Sequence, residues 1–221
     1  MVSTILLRGL LAGLVAGLLA FGFAKVFGEP QVDRAIAFES QMEAAHAHSH
    51  GDADAHGEEL VSRRVQSTFG LLTGVVVYAA ALGGLFSLVF AFCLGRIGRL
   101  SPRALGLLLA GLGFVAIVLV PALKYPPNPP AVGDPDTIGV RTALYFLMIV
   151  ISLGATIAAV LISRHFVPRL GAWNAVLVAG AAFLAVIVVS QFLLPDINEV
   201  PANFPAVPLW RFRIASLASS R

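Results

Sequence analysis

Four of the five histidines in this chain lie close together, between His46 and His56. The segment reads His-Ala-His-Ser-His-Gly-Asp-Ala-Asp-Ala-His, so it also carries two carboxylates. Neutral imidazole and carboxylate oxygen together suit borderline divalent ions such as Co, Ni, Zn or Cu(II). The pattern therefore predicts a metal-binding segment. Its candidate ligands are His46, His48, His50, His56, Asp52 and Asp54.

Either regular conformation would bring several of these ligands together. In an extended segment, alternation places His46, His48 and His50 on one side. In a helix, Glu39 and Glu43 share a face with His46 and His50, so these two glutamates, and Glu58 nearby, are further candidate ligands. Alternatively they belong to an outer lid. The segments Glu29–Glu39, Lys124–Pro135 and Asp196–Arg213 are expected to form this lid by pairing their acidic and basic residues. The alternative interpretation is a solvated polar loop without bound metal. Because no closed four-ligand spacing is present, we expect transient capture rather than a fixed structural site.

Composition decides the class of protein before any other motif does. The chain is 58% hydrophobic and 12% charged, with a mean hydropathy of +0.88. An ordinary soluble domain cannot hide that much apolar surface, so the chain is expected in lipid. Its net charge of +3 is carried largely by basic residues between apolar spans, which makes nucleic-acid binding a poor explanation. The single cysteine, Cys93, excludes an internal disulfide.

Apolar stretches long enough to cross a bilayer organise the whole sequence. They predict an all-α integral membrane protein with a bundle of five transmembrane helices. The spans are about 5–27, 69–95, 104–123, 140–162 and 173–194. The first is expected to be an uncleaved span, because no small-residue cleavage site follows it. Outside the bilayer we expect residues 28–67, as a surface helix followed by the histidine segment, and the tail 195–221.

Glycines spaced four residues apart mark two of these spans. Gly9, Gly13 and Gly17 form overlapping small-residue pairs in the first span, and Gly70 and Gly74 form another pair in the second. Such spacing places the glycines on one helix face and allows a second helix to approach closely. All five are predicted helix-packing positions.

Basic residues in the short turns predict the orientation. The turns Arg96–Arg103 and Arg164–Arg169 are rich in arginine and contain no acidic residue. By the positive-inside rule both should be cytoplasmic, which puts the N-terminus inside. The histidine segment, the Pro-rich cap Lys124–Pro135 and the tail should then lie outside.

The predicted span interiors offer no catalytic constellation. They contain no Asp, Glu or His, and the hydroxyl groups, such as that of Ser152, have no intramembrane histidine as a base. These polar groups are expected to form interhelical hydrogen bonds instead. The sequence therefore predicts a protein that is not an enzyme.

Several linear stretches occur together in a recognisable order. They are Arg8–Gly17, Gly28–Glu39, the histidine segment, Leu123–Pro135 and Asn198–Arg213. This combination, which covers essentially the whole chain, resembles the CbtA family, the larger membrane subunit of a predicted cobalt transporter linked to cobalamin supply.

The resemblance implies a cargo, a partner and a location. It implies transported or transiently bound divalent cobalt, with nickel or zinc compatible with the same ligands, and no permanently bound cofactor. It also implies a small, single-span, histidine-bearing partner subunit and the bacterial cytoplasmic (inner) membrane. Members of the family usually continue past the motif Arg211-Phe212-Arg213 into another apolar helix, whereas the sequence here ends at Arg221. A second hypothesis is a non-transporting metal sensor or scaffold subunit in the membrane.

Overall fold

The computed structural model describes residues 2–34, 36–37, 40, 62–98, 100–128, 137–197, 210 and 213–214. This part of the chain is helical and contains no strand, which confirms the all-α prediction. Its helices long and apolar enough to cross a membrane are four: α1 (Val2–Arg34), α2 (Arg63–Cys93), α3 (Pro102–Lys124) and α4 (Ile138–Leu193). The last two predicted spans both lie within α4.

A break at Gly171 divides α4 into two segments. The helix has 56 residues, about 84 Å if straight, whereas the hydrocarbon core is about 30 Å thick. Gly171 has φ 77° and ψ 164°, a left-handed conformation that a residue with a Cβ rarely adopts. The residues Arg164–Arg169, predicted to form a turn, are helical, and the interruption falls just after them.

Pro30 and Pro121 lie inside helices that continue past them. Proline lacks an N–H and clashes with the carbonyl four residues earlier, which normally ends a helix. Here π-helical turns at Ala24–Gly28 and Phe114–Leu119 end two residues before Pro30 and Pro121. The wider turn shifts the carbonyls and accommodates the ring. As a result α1 continues to Arg34. The residues from Glu29 onward, predicted to start a separate surface helix, are the last residues of α1.

The chain forms two compact units. The first comprises Met1–Leu107 with Asn128–Val132 and Asn203–Arg221. In it α1 and α2 pack antiparallel, because increasing residue numbers on α1 meet decreasing numbers on α2. Gly9 faces Ser87, for example, whereas Gly17 faces Val76.

The second unit comprises Leu108–Pro127 and Gly133–Ala202. Its buried core contains Val120, Tyr125, Met148, Ala155 and Ile187. In a straight α4, Met148 and Ile187 would be about 58 Å apart. Their membership of one core requires the chain to fold back at the Gly171 break, so that both segments of α4 contribute to the same core.

One hydroxyl group links α3 to α4 in this core. Ser152 is fully buried, and its Oγ donates a hydrogen bond to the carbonyl oxygen of Ala116. Ala116 lies in the π-helical turn Phe114–Leu119, where the regular pattern of backbone hydrogen bonds is interrupted. Ser152 therefore forms the interhelical hydrogen bond that was predicted for the hydroxyl groups in the spans. The hydroxyl groups of Ser87, Thr156 and Ser190 instead donate to carbonyls of their own helices.

Replacing this serine should destabilise the second unit measurably. Ser152→Ala removes the interhelical donor, so we expect the free energy of unfolding in detergent to fall by about 0.6–1.7 kcal/mol. Ser190→Ala is the matched control, because Ser190 Oγ donates only within its own helix, to the carbonyl of Val186 at 2.8 Å. Equal losses in the two variants would contradict the interhelical role of Ser152.

Candidate functional site

The predicted metal ligands lie outside the described residues. They are His46, His48, His50, His56, Asp52, Asp54, Glu39, Glu43 and Glu58. Within the described part of the chain, no group of three or more His, Cys, Asp or Glu side chains could hold a metal ion. The metal-binding role of the histidine segment therefore stays a prediction, and the structure describes the helices that lead into and out of it.

The two helices that flank the segment touch along the glycine face of α1. A Cβ added at Gly17 would lie 2.9 Å from the Cβ of Ala79 and 3.0 Å from the Cα of Val76. Gly9 is similarly close to Gly83 and Ser87 on α2. Because a Cβ would overlap these atoms, the backbones approach more closely than larger residues would permit.

The second glycine pair has different surroundings. A Cβ at Gly74 would meet no atom within 4 Å, and one at Gly70 would reach only the carbonyl oxygen of Val65, at 3.8 Å. The packing role of Gly70 and Gly74 stays a prediction. The α2 residues that meet the glycines of α1 include instead Ala79, Gly83 and Ser87, which are also spaced four apart.

Above the glycine contact, Lys25 joins the two π-helical turns of the first unit. Its Nζ donates to the backbone carbonyl of Ser67 at 2.9 Å and to the Ser67 hydroxyl at 3.1 Å. Lys25 lies in the turn Ala24–Gly28, and Ser67 lies in the turn Gln66–Gly70. The ammonium group thus bonds to backbone and hydroxyl oxygen at the end of the helix pair.

An ion-pair cluster lies one turn further along both helices. Arg63 Nη2 is 2.6 Å from a carboxylate oxygen of Glu29 and 3.2 Å from one of Asp33. The Glu29 side chain is only 12% exposed, so loss of Arg63 would leave a largely buried carboxylate without its cationic partner. Arg63, Glu29 and Asp33 together, with Lys25 and Ser67, form what we call the stem of the histidine segment. The stem holds the end of α1 beside the beginning of α2.

In the second unit Lys124, like Lys25 in the first, donates hydrogen bonds to oxygen atoms at the end of a neighbouring helix. The Lys124 side chain is 6% exposed, and its Nζ donates to the carbonyl of Gln191 at 2.7 Å and to the carboxylate of Asp196. Beside it, the hydroxyl of Tyr125 donates to the carbonyl of Pro195 at 2.9 Å. Burial raises the pKa of Tyr125, which keeps its hydroxyl protonated as a donor. These bonds fasten the end of α3 to the end of α4.

Removing the lysine and removing its ionic partner should have unequal effects. Lys124→Met keeps most of the apolar stem but leaves the Gln191 carbonyl without this donor, so we expect a loss of about 1–3 kcal/mol in unfolding free energy. Asp196→Asn should cost less than about 1 kcal/mol, because Asp196 is 86% exposed and solvated. Unfolding of both variants in detergent provides the comparison. A larger loss for Asp196→Asn would show that the ion pair, and not the carbonyl bond, is the important link.

The sequence patterns did not assign the stem, and they mark Lys25 only as a charge near the end of an apolar span. They do offer Lys124 and Asp196 as possible ion-pair partners in the outer lid, and the structure pairs these two residues. The bond from Lys124 to the carbonyl of Gln191 was not predicted. One available signal was the four-residue spacing of Lys25, Glu29 and Asp33 opposite the same spacing of Arg63 and Ser67. Matched spacing on two helices predicts paired side chains once the helices are known to be adjacent.

These features define a multi-pass, all-helical membrane protein, with apolar helices whose large side chains face outward. The chain belongs to the CbtA family: the family model described as "Probable cobalt transporter subunit (CbtA)" matches residues 2–221, which confirms the resemblance seen in the sequence. No curated protein and no solved structure matches it.

Proposed function

We propose that this chain is the larger membrane subunit of a cobalt uptake transporter and that its histidine segment collects the ion outside the cell. The observation that carries the proposal is the match of a cobalt transporter subunit family to essentially the whole chain. The histidine and aspartate side chains at 46–56 supply the ligand chemistry that divalent cobalt requires. Nickel and zinc are compatible with the same ligands.

The stem supports a role for the segment as a collector at one end of the helix pair. Arg63 joins Glu29 and Asp33, so the chain leaves α1 and enters α2 at the same place. Fixing the two ends lowers the entropy that the segment loses when ligands from different positions close around an ion. Because Glu29 and Asp33 already bind Arg63, the ligands are expected from the segment itself.

We further propose five membrane crossings. The Gly171 break divides α4 into segments of 33 and 22 residues (138–170 and 172–193), each long enough to cross a bilayer. The N-terminus and the arginine-rich segments Arg96–Arg103 and Arg164–Arg169 then lie in the cytoplasm, and the histidine segment lies outside the bacterial inner membrane, in agreement with the positive-inside rule.

This topology predicts the accessibility of a single introduced cysteine. In a Cys93→Ser background, Ser101→Cys should react with a membrane-impermeant maleimide only after the cells are opened. Asn128→Cys, at the opposite end of α3, should react in intact cells. Labelling of Ser101→Cys from outside would contradict the proposed orientation.

A small, single-span, histidine-bearing subunit completes the proposed transporter, and cobalt is its cargo rather than a resident cofactor. The competing function is a metal sensor or scaffold without transport. It is favoured by one observation: the five span interiors contain no Asp, Glu or His. Uptake of radioactive cobalt into vesicles, with and without the small subunit, separates the two. Uptake that requires both subunits supports the transporter, and no uptake with both present supports the sensor or scaffold.

A further inference from the structure

The bend in α4 carries two arginines that interact with no described residue. We define the α4 bend as residues 164–174, around the break at Gly171. Arg164 and Arg169 are exposed there, and neither guanidinium forms a hydrogen bond or ion pair within the described part of the chain. Two permanent positive charges are thus displayed between two membrane-length helical segments.

Among the described residues, no acidic side chain is paired with these arginines. The whole of Ile138–Leu193 contains no Asp or Glu. Asp196 is the one acidic residue among the described residues of this unit, and it binds Lys124. The positive charge of the α4 bend is therefore available to a ligand from outside the chain.

Apolar side chains accompany the two charges. Every residue from 167 to 174 is exposed, including Val167, Leu170 and Trp173, of which Trp173 is 75% exposed. Tryptophan is favoured at the level of lipid headgroups, where its ring contacts acyl chains and its N–H remains hydrated. Val167 and Leu170 add apolar surface beside the arginines.

The backbone fixes these groups at the bend. Pro168 lacks an N–H, so the carbonyl of Arg164 has no regular helical donor four residues later. Gly171 interrupts the helix, and the Asn174 side chain donates to the carbonyl of Leu170 at 3.1 Å across the interruption. Arg169 therefore precedes the helix interruption at Gly171 and Trp173 follows it, and the hydrogen bond from Asn174 to Leu170 connects the two sides.

We propose that the α4 bend is a binding site for an anionic phospholipid. The guanidinium groups of Arg164 and Arg169 bind the phosphate, for which their planar donors are well suited. Trp173 lies at the headgroup level, and Val167 and Leu170 contact the acyl chains. A headgroup with net negative charge is preferred over a zwitterionic one, because no acidic side chain of the described residues is paired with the arginines. The site requires membrane insertion only and is independent of the transported ion.

Trp173 allows a direct measurement of lipid selectivity. The chain has two tryptophans, so Trp210→Phe leaves Trp173 as the single reporter. In bilayers of fixed composition, we compare fluorescence quenching by brominated phosphatidylglycerol and by brominated phosphatidylcholine. We expect selective quenching by phosphatidylglycerol, and Arg164→Gln and Arg169→Gln should each lower the relative binding constant by about fivefold.

Three further comparisons make this test decisive. Arg164→Lys/Arg169→Lys should retain most of the selectivity, since the charge remains and folding is preserved. Arg8→Gln/Arg34→Gln removes the same charge elsewhere and should leave the selectivity unchanged. Sodium phosphate should reduce it no more than sodium chloride of equal ionic strength. Equal quenching by the two lipids, an equal loss in the Arg8/Arg34 variant, or specific displacement by inorganic phosphate would overturn the proposal.

Discussion

Gly83→Ala is expected to separate α1 from α2 and to destabilise the first unit strongly. A Cβ at Gly83 would lie 2.9 Å from the Cα and 3.0 Å from the backbone nitrogen of Gly13. Backbone atoms cannot rotate away as a side chain can, so the helices must move apart. Overpacking of this kind costs about 1–3 kcal/mol and occasionally more. The measurement is the free energy of unfolding in detergent.

Gly74→Ala is the matched control on the same helix. It brings the same gain in helix propensity, about 1 kcal/mol relative to glycine, and its Cβ would meet no atom within 4 Å. We therefore expect Gly74→Ala to be neutral or stabilising. If Gly83→Ala were equally well tolerated, the close approach of α1 and α2 at Gly13 would be contradicted.

The glycine spacing predicts one side of the contact between α1 and α2 but not the other. Four-residue spacing predicts which residues share a face of α1, because helix geometry alone sets that face. It does not predict the opposing surface, since packing depends on which helix is adjacent. The opposing face uses Ala79, Gly83 and Ser87, a mixed small-residue series that is less conspicuous than the pair Gly70 and Gly74.

The positions at which the helices end or are interrupted could not be predicted from local residue type alone. Proline predicts an interruption, yet α1 continues past Pro30 and α3 past Pro121, because a π-helical turn precedes each ring. In α4 the interruption follows Pro168 by three residues and falls at Gly171, the residue that tolerates a positive φ. The all-α class could be predicted from apolar length, whereas these local adjustments depend on tertiary packing.

The candidate site was only partly accessible to sequence reasoning. Residue chemistry predicts the histidine segment as a metal ligand cluster, and this remains a prediction. The stem that joins Arg63 to Glu29 and Asp33 is a long-range arrangement. It depends on the antiparallel pairing of α1 with α2, which no local pattern specifies.

Replacing His46, His48, His50 and His56 with alanine should weaken cobalt binding to the purified protein by at least about tenfold. Loss of residues that merely support metal ligands commonly costs 10–100-fold in affinity, and loss of the ligands themselves should cost no less. Titration calorimetry with cobalt chloride measures the change. An unchanged cobalt affinity in the four-alanine variant would show that these histidines do not bind the ion.

Acidification should reproduce part of this effect in the unaltered protein. Imidazole must be neutral to bind the ion, so protons compete with cobalt for each histidine. Binding should be strongest above the ordinary histidine pKa of about 6.5 and should fade as the pH falls below it. The four-alanine variant should show a much weaker dependence over the same range.

The central claim is that the histidine segment collects cobalt for uptake without being the path across the membrane. The most direct measurement is the concentration dependence of radioactive cobalt uptake into vesicles that contain both subunits. The account predicts that the four-alanine variant needs more cobalt for half-maximal uptake and keeps nearly the same maximal rate. Uptake abolished at every cobalt concentration, with the protein still present in the membrane, would contradict it.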